Sequence, residues 1–154
     1  MRIRVLCVSE RQPDWVSQGF AEYARRLPRH LAPELVELPL ARRRAEIDRA
    51  RSDEALRLRA AAGKAGRMIA LDERGQPWSS MDLSRRLGEW QQSGQDILLL
   101  IGGPDGLCPN LLAACAERWS LSPLTLPHGL VRVIIAEQLY RAHAILSGHP
   151  YHRA

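Results

Sequence analysis

Five consecutive aliphatic residues, Ile97 to Ile101, constrain the fold of this chain more than any other feature. Gln95-Asp96 precedes the run and Gly102-Gly103 follows it. A short apolar run between turn signals suits a strand buried on both faces, which needs helices above and below its sheet. The rest of the sequence supplies them. Ile3 to Val8 reads as a first strand, and Pro13-Asp14 opens a helix that runs to about Leu27 before Pro28 stops it. Glu34 to Leu38 alternates as a second strand. Ala45 to Ala62 is rich in Ala, Leu, Arg and Glu and ends at Gly63, a helix with its stop signal. Arg67 to Leu71 is a third strand, followed by a turn at Glu73 to Pro77. Ser79 or Ser80 caps a helix reaching about Gln92. After the central run, the sequence predicts a helix over Pro109–Arg118, a strand-like piece over Ser120–Leu126, and a last helix over Leu130–Leu146. Strands alternating with helices give an α/β domain with a mostly parallel sheet flanked by helices.

The 154 residues suit one domain, 1–154, and no repeat or linker divides them. The net charge of +5 points toward polyanions, of which nucleic acid is the commonest. Lys64 is the only lysine, so the basic character is arginine, whose planar fork pairs with phosphate and stacks on bases. Cys7, Cys108 and Cys115 form no CxxC pair and have no clustered histidines, which supports neither a zinc site nor a disulfide framework. The apolar runs are far too short to span a bilayer, and the start lacks the apolar stretch of a signal peptide. The expectation is a cytoplasmic protein without metal or membrane contact.

Three segments carry candidate chemistry. Ile101-Gly-Gly-Pro-Asp-Gly106 follows the most apolar strand and precedes a helix, where open α/β sheets bind ligands. Glycines there admit close backbone approach, although a tight turn explains the same residues. The loop is neither a Walker A nor a GxGxxG sequence. Ser120 to His128 is apolar but holds two prolines and several hydroxyls, a loop able to wrap an adenine or simply to connect strand and helix. The final helix and tail add Glu137, Tyr140, Arg141, His143 and Pro150-Tyr-His-Arg153, groups suited to gripping a base and a phosphate.

Taken in order, the motifs resemble one family. They are Asp14-Trp15 with Gly19-Phe20-x-Glu22-Tyr23; Leu71-Asp72 with Gly75-x-Pro77-Trp78-Ser79; and Ile101-Gly-Gly-Pro-Asp-Gly106. Trp119 to His128, Leu130 to Val133, Glu137 to Ala142 and Pro150 to Arg153 complete the series. The chain is similar to the large-subunit rRNA pseudouridine N3-methyltransferases, the RlmH family of the SPOUT superfamily. It departs in having Asp105 where Glu is more common, Cys108 where Ser is frequent, and Arg42-Arg43-Arg44 rather than a lysine-rich segment.

The resemblance implies a trefoil knot in roughly residues 70–154, a homodimer, and S-adenosylmethionine-dependent methylation of N3 of a pseudouridine in 23S rRNA on the assembled 70S ribosome. It implies a cofactor site of Leu71, Gly102, Gly103 and the segment Leu121, Ser122, Pro123, Leu124, Thr125 and Leu126. On the substrate side the expected residues are His128, Arg132, Tyr140, Arg141 and Tyr151, with Tyr151 stacking on the base. His152 as proton acceptor and Arg153 beside the deprotonated base are the catalytic candidates, brought to the cofactor by the partner's tail. Arg2, Arg4, Arg25, Arg26, Arg42 to Arg44 and Arg132 are candidates for phosphate contacts. Methylation of tRNA, and a ribosome-binding module that holds the cofactor without catalysis, are the competing readings.

Overall fold

A computed structural model describes residues 1–41 and 46–152. The expected contacts of Arg42 to Arg44 and the role of Arg153 lie outside the described residues. Strands β1 (Ile3–Val8), β2 (Glu34–Leu38), β3 (Arg67–Pro77), β4 (Ile97–Ile101) and β5 (Glu117–Ser120) form one parallel sheet in the order β2-β1-β4-β3-β5. β4 lies at its centre, paired with β1 from Ile3–Ile97 to Cys7–Ile101 and with β3 from Arg67–Ile97 to Ala70–Leu100. Every residue of β4 is buried, as its unbroken apolar run requires.

Because side chains alternate along a strand, β4 feeds two cores. Ile97, Leu99 and Ile101 face α1 (Asp14–Ala24), α3 (Ser80–Ser93) and α5 (His128–Ser147), where Phe20, Leu87, Trp90 and Leu139 meet them. Leu98 and Leu100 face α2 (Ile47–Ala62) and α4 (Pro109–Ala114) through Leu58 and Leu111. Ser79 and Asp82 form a complete capping box on α3, so the hydroxyl-rich start is the N-terminal signal the sequence offers. Gly94 and Gly148 take positive φ just past α3 and α5.

Several elements differ from the sequence reading; α1 already ends at Ala24 rather than at about Leu27. The helix expected over Pro109–Arg118 stops at Ala114, and the strand expected over Ser120–Leu126 lies instead at Glu117–Ser120. The cause is non-local. Cys115 leaves the helix with extended backbone, and the Ala116 N–H donates to the Met68 carbonyl at 2.9 Å. Glu117 then receives Arg67 at 2.6 Å and pairs with Arg86, which lets a short, charged segment serve as an edge strand. β3 is also longer than expected. It breaks register after Leu71, bulges through 72–75 and resumes pairing at Gln76 opposite Trp119.

From β5 at the sheet edge the chain turns back. α5 packs against both α1 and α3, across the middle of the sheet rather than beside its own strand. This return brings the loop after β5 and the start of α5 beside the ends of β3 and β4.

Candidate functional site

A cavity of about 440 Å³ opens at the carboxyl ends of β3, β4 and β5. Its size falls in the range of small-molecule sites, roughly 300–1,000 Å³. Three pieces of backbone shape it. The first is the turn after β4. Gly106 has φ 77° and its N–H donates to the Gly103 carbonyl at 3.0 Å, closing a tight reversal. A Cβ on Gly102 would stand 2.7 Å from the carbonyl carbon of Gly106, so only glycine lets the turn close there.

The second piece is the β3 bulge, which crosses β5 so closely that a Cβ on Gly75 would lie 2.6 Å from the Arg118 carbonyl oxygen. The third is the loop after β5, tied to that bulge at two points. The Ser120 hydroxyl donates to the Glu73 carbonyl at 3.0 Å, and the Thr125 hydroxyl donates to the Glu73 carboxylate at 2.7 Å. Beneath them Trp119 is buried and stacks on Trp78 with centroids 4.7 Å apart. The guanidinium of Arg86 sits 3.8 Å above the Trp78 ring and pairs with Glu117. This column holds the floor of the cavity at the sheet edge.

Of the nine residues expected to hold the cofactor, Leu71, Gly102, Gly103, Leu121, Ser122, Leu124, Thr125 and Leu126 line this one space. Pro123 belongs to the same loop but is not on the wall. Ile101, Leu107, Leu112 and Val131 extend the apolar surface, while Asp72, Glu73 and Asp105 place carboxylates around it. Arg51, which sequence reasoning did not single out, reaches the same cavity from α2. Its arginine-rich helix carries no local mark that separates it from its neighbours.

The substrate-side residues do not converge in the same way. His128 lines the cavity as the first residue of α5. Burial first, and then the cation of Arg132, hold its imidazole below the ordinary histidine range against the opposing pull of Glu54 and the Gly102 backbone. Its Nδ1 has no hydrogen-bond partner among the described residues.

Arg132 is a correction to the expected surface contact. Only 1% of it is exposed; it donates to the Ser9 hydroxyl at 2.9 Å and pairs with Glu37 at 3.2 Å. One helical turn beyond His128, it points inward and ties α5 to the ends of β1 and β2. Other basic candidates also have partners within the chain. Arg2 pairs with Glu34, Arg25 and Arg26 pair with Glu22, and Arg4 donates to the last carbonyls of α2.

Tyr140, Arg141 and Tyr151 form a separate cluster that lines no part of the cavity. Glu137 is its centre. It accepts two hydrogen bonds from Arg141, at 2.7 and 3.0 Å, and one from the Tyr151 hydroxyl at 3.0 Å. The Tyr151 ring meets Tyr140 at 4.5 Å in a tilted pair, with the Arg141 guanidinium 5.0 Å from its centroid. Burial, and then the bond to Glu137, push the Tyr151 phenol up to about 12. Through these contacts Tyr151 anchors the turn Pro150–His152 to its own helix. The side chain of His152 lies outside the described structure. Among the described residues no group of His, Cys, Asp and Glu is arranged to hold a metal, and no helix is long and apolar enough to cross a membrane.

Comparison with known proteins places this architecture. Residues 1–152 match a family model described as "Predicted SPOUT methyltransferase". The chain is 53% identical to the ribosomal RNA large subunit methyltransferase H of Nitrosococcus oceani, covering 100% of this chain and 99% of that protein. It is 52% identical to the protein of the same name from Alkalilimnicola ehrlichii, covering all of both. The fold is similar to that of TrmJ from Z. mobilis, with TM-score 0.53 and 15% identity over 92% of this chain and 70% of that one. With its parallel sheet, its glycine turn after β4 and full-length likeness to these relatives, the chain belongs to the SPOUT methyltransferase family, in its ribosomal RNA large subunit methyltransferase H branch.

Proposed function

We propose that this protein methylates N3 of a pseudouridine in 23S rRNA of the assembled 70S ribosome, using S-adenosylmethionine held at the ends of β3, β4 and β5. The observation that carries the reading is the Gly102–Gly106 turn facing the loop after β5 across an apolar cavity, in a chain whose full-length relatives bear a large-subunit rRNA methyltransferase name. The residues fit the cofactor. Leu71, Leu121 and Leu126 offer an apolar slab for an adenine, and Asp72, Glu73 and Asp105 offset a sulfonium and an ammonium.

The cofactor, when bound, supplies an electrophilic methyl group on sulfur. The protein's own work is alignment and exclusion of water, and proximity contributes of order 7–11 kcal/mol at best. The tied loops at Glu73, Ser120 and Thr125 hold one side of the cavity in place. A neutral His128 on its wall adds no positive charge against a cationic ligand.

The target nitrogen must lose a proton, and His152 is assigned as acceptor, with Arg153 beside the developing anion. The protein's own tail is poorly placed for this. Tyr151 is held at Glu137, nine residues and so about 14 Å along α5 from His128. A homodimer in which the partner's tail closes each cavity solves that distance. The apolar surface left open at Trp15 on α1 and Leu130 on α5 is a suitable contact face. Passage of α5 back across the sheet is read as the trefoil knot, and a ribosomal substrate places the protein in the cytoplasm. The single described domain offers little surface for reading sequence, which favours recognition of the shape of an assembled ribosome.

Labelled S-adenosylmethionine is incubated with the protein and 70S ribosomes, 50S subunits or tRNA from cells lacking the enzyme. Methylpseudouridine in 23S rRNA, strongest with 70S particles, is the expected product. Label confined to tRNA, or cofactor binding without any transfer, overturns the reading.

A further inference from the structure

We infer that Arg51 is the anchor for the carboxylate at the amino-acid end of the cofactor, so that the methionyl group points toward α2 while the adenosine lies against the β3 and β5 loops. The inference rests on the cofactor reading above and deepens it. Arg51 is the one described residue of α2 on the cavity wall; every other lining residue comes from the strand ends and their loops, from α4 or from α5. Three-quarters of its side chain is shielded, and its Nε–H is buried with no hydrogen-bond partner among the described residues. A buried guanidinium donor without an acceptor is costly; Arg4 and Arg132 also keep such an Nε–H, but neither lines the cavity, whereas that of Arg51 is on its wall, where an acceptor can arrive.

Asp48 does not supply that acceptor. It pairs with Arg51 Nη2 at 2.7 Å from a side chain 85% exposed, which holds the guanidinium in place but leaves Nε unsatisfied. The planar fork of arginine accepts a carboxylate through two parallel N–H groups, and a carboxylate is the one anionic group of the cofactor. The other described cationic or titratable nitrogen side chains on the wall serve less well. Arg74 stands exposed on the bulge, and His128 is a half-buried imidazole kept from protonation by its surroundings. The wall's acidic groups, Asp72, Glu73 and Asp105, suit the positive parts of the same molecule and repel its carboxylate.

The test measures binding of two ligands to the purified full chain by calorimetry. S-Adenosylhomocysteine carries the amino-acid carboxylate, whereas 5′-methylthioadenosine keeps the adenosine and thioether and lacks it. Arg51→Met preserves the aliphatic stem; it is expected to weaken S-adenosylhomocysteine about tenfold or more. Methylthioadenosine, which also reports that the variant cavity is intact, is expected to bind as to the parent protein. Arg51→Lys should recover part of the loss. Equal weakening of both ligands means that Arg51 only shapes the wall and overturns the inference. Unchanged affinity for both, with a higher KM for ribosomes, assigns the side chain to an rRNA phosphate and overturns it as well. Failure of the parent protein to bind either ligand sinks the cofactor reading itself, and the inference with it.

Discussion

Tyr151 spends its hydroxyl and its ring on its own subunit. Glu137 takes the hydrogen bond, and Tyr140 and Arg141 contact the ring. In the proposed reaction its part is positional, since it fixes the chain just before His152. Tyr151→Phe removes the hydroxyl and leaves the ring packing. The loss should be about 1 kcal/mol, too small to unfold the chain but enough to loosen the tail. Carboxypeptidase should release the last residues faster from this variant, and kcat for methyl transfer should fall while S-adenosylhomocysteine affinity holds. An unchanged digestion rate would show that the ring alone is the anchor.

At the scale of elements, the cavity depends on backbones that approach too closely for any side chain. The turn after β4 reverses within a few residues because Gly102 has no Cβ to strike Gly106, and the β3 bulge crosses β5 because Gly75 has none to strike Arg118. Gly102→Ala must push the turn open, since its obstacle is backbone that cannot rotate away. Overpacking of this kind costs about 2 kcal/mol. We expect a lower unfolding midpoint together with loss of S-adenosylhomocysteine binding, measured by denaturant titration and calorimetry. Retained binding at parental affinity would mean that the turn lies outside the ligand's contacts. The Arg86–Trp78–Trp119 column works at the same scale, fixing the edge strand from which the clamping loop departs.

For the whole molecule, the proposed dimer turns on the α1–α5 face. Gly19 lets the two helices meet closely, with Val133 3.3 Å from where a Cβ would stand. Beside that crossing Trp15 is 56% exposed and Leu130 38% exposed. Large apolar groups clustered in the open mark an interaction surface more often than isolated ones do. Leu130→Glu places a charge on this face. Light scattering should show a dimer for the parent protein and a monomer for the variant. On the proposed dimer, methyl transfer should fail while S-adenosylhomocysteine still binds, because each cavity is built within one chain and would be short only of the partner's tail. A variant that stays dimeric would move the interface elsewhere.

What the sequence determined by itself was local and periodic. The apolar run of β4 dictated burial on both faces, Gly63 and Gly94 marked where helices end, and the glycines after Ile101 marked a sharp turn at the carboxyl end of the sheet. Eight of the nine residues expected around the cofactor share one cavity, because they sit at strand ends that a parallel sheet must bring to one side. Only the tertiary structure decided the rest. β5 becomes a strand through Met68, Arg67 and Arg86, which are remote in sequence and leave no trace in its own four residues. Arg132 and Arg51 look alike as letters, yet one is sealed against Ser9 and Glu37 and the other opens on the cavity. Helical periodicity says which residues share a face, but what that face meets is settled by long-range packing, and the same packing ties Tyr151 to Glu137.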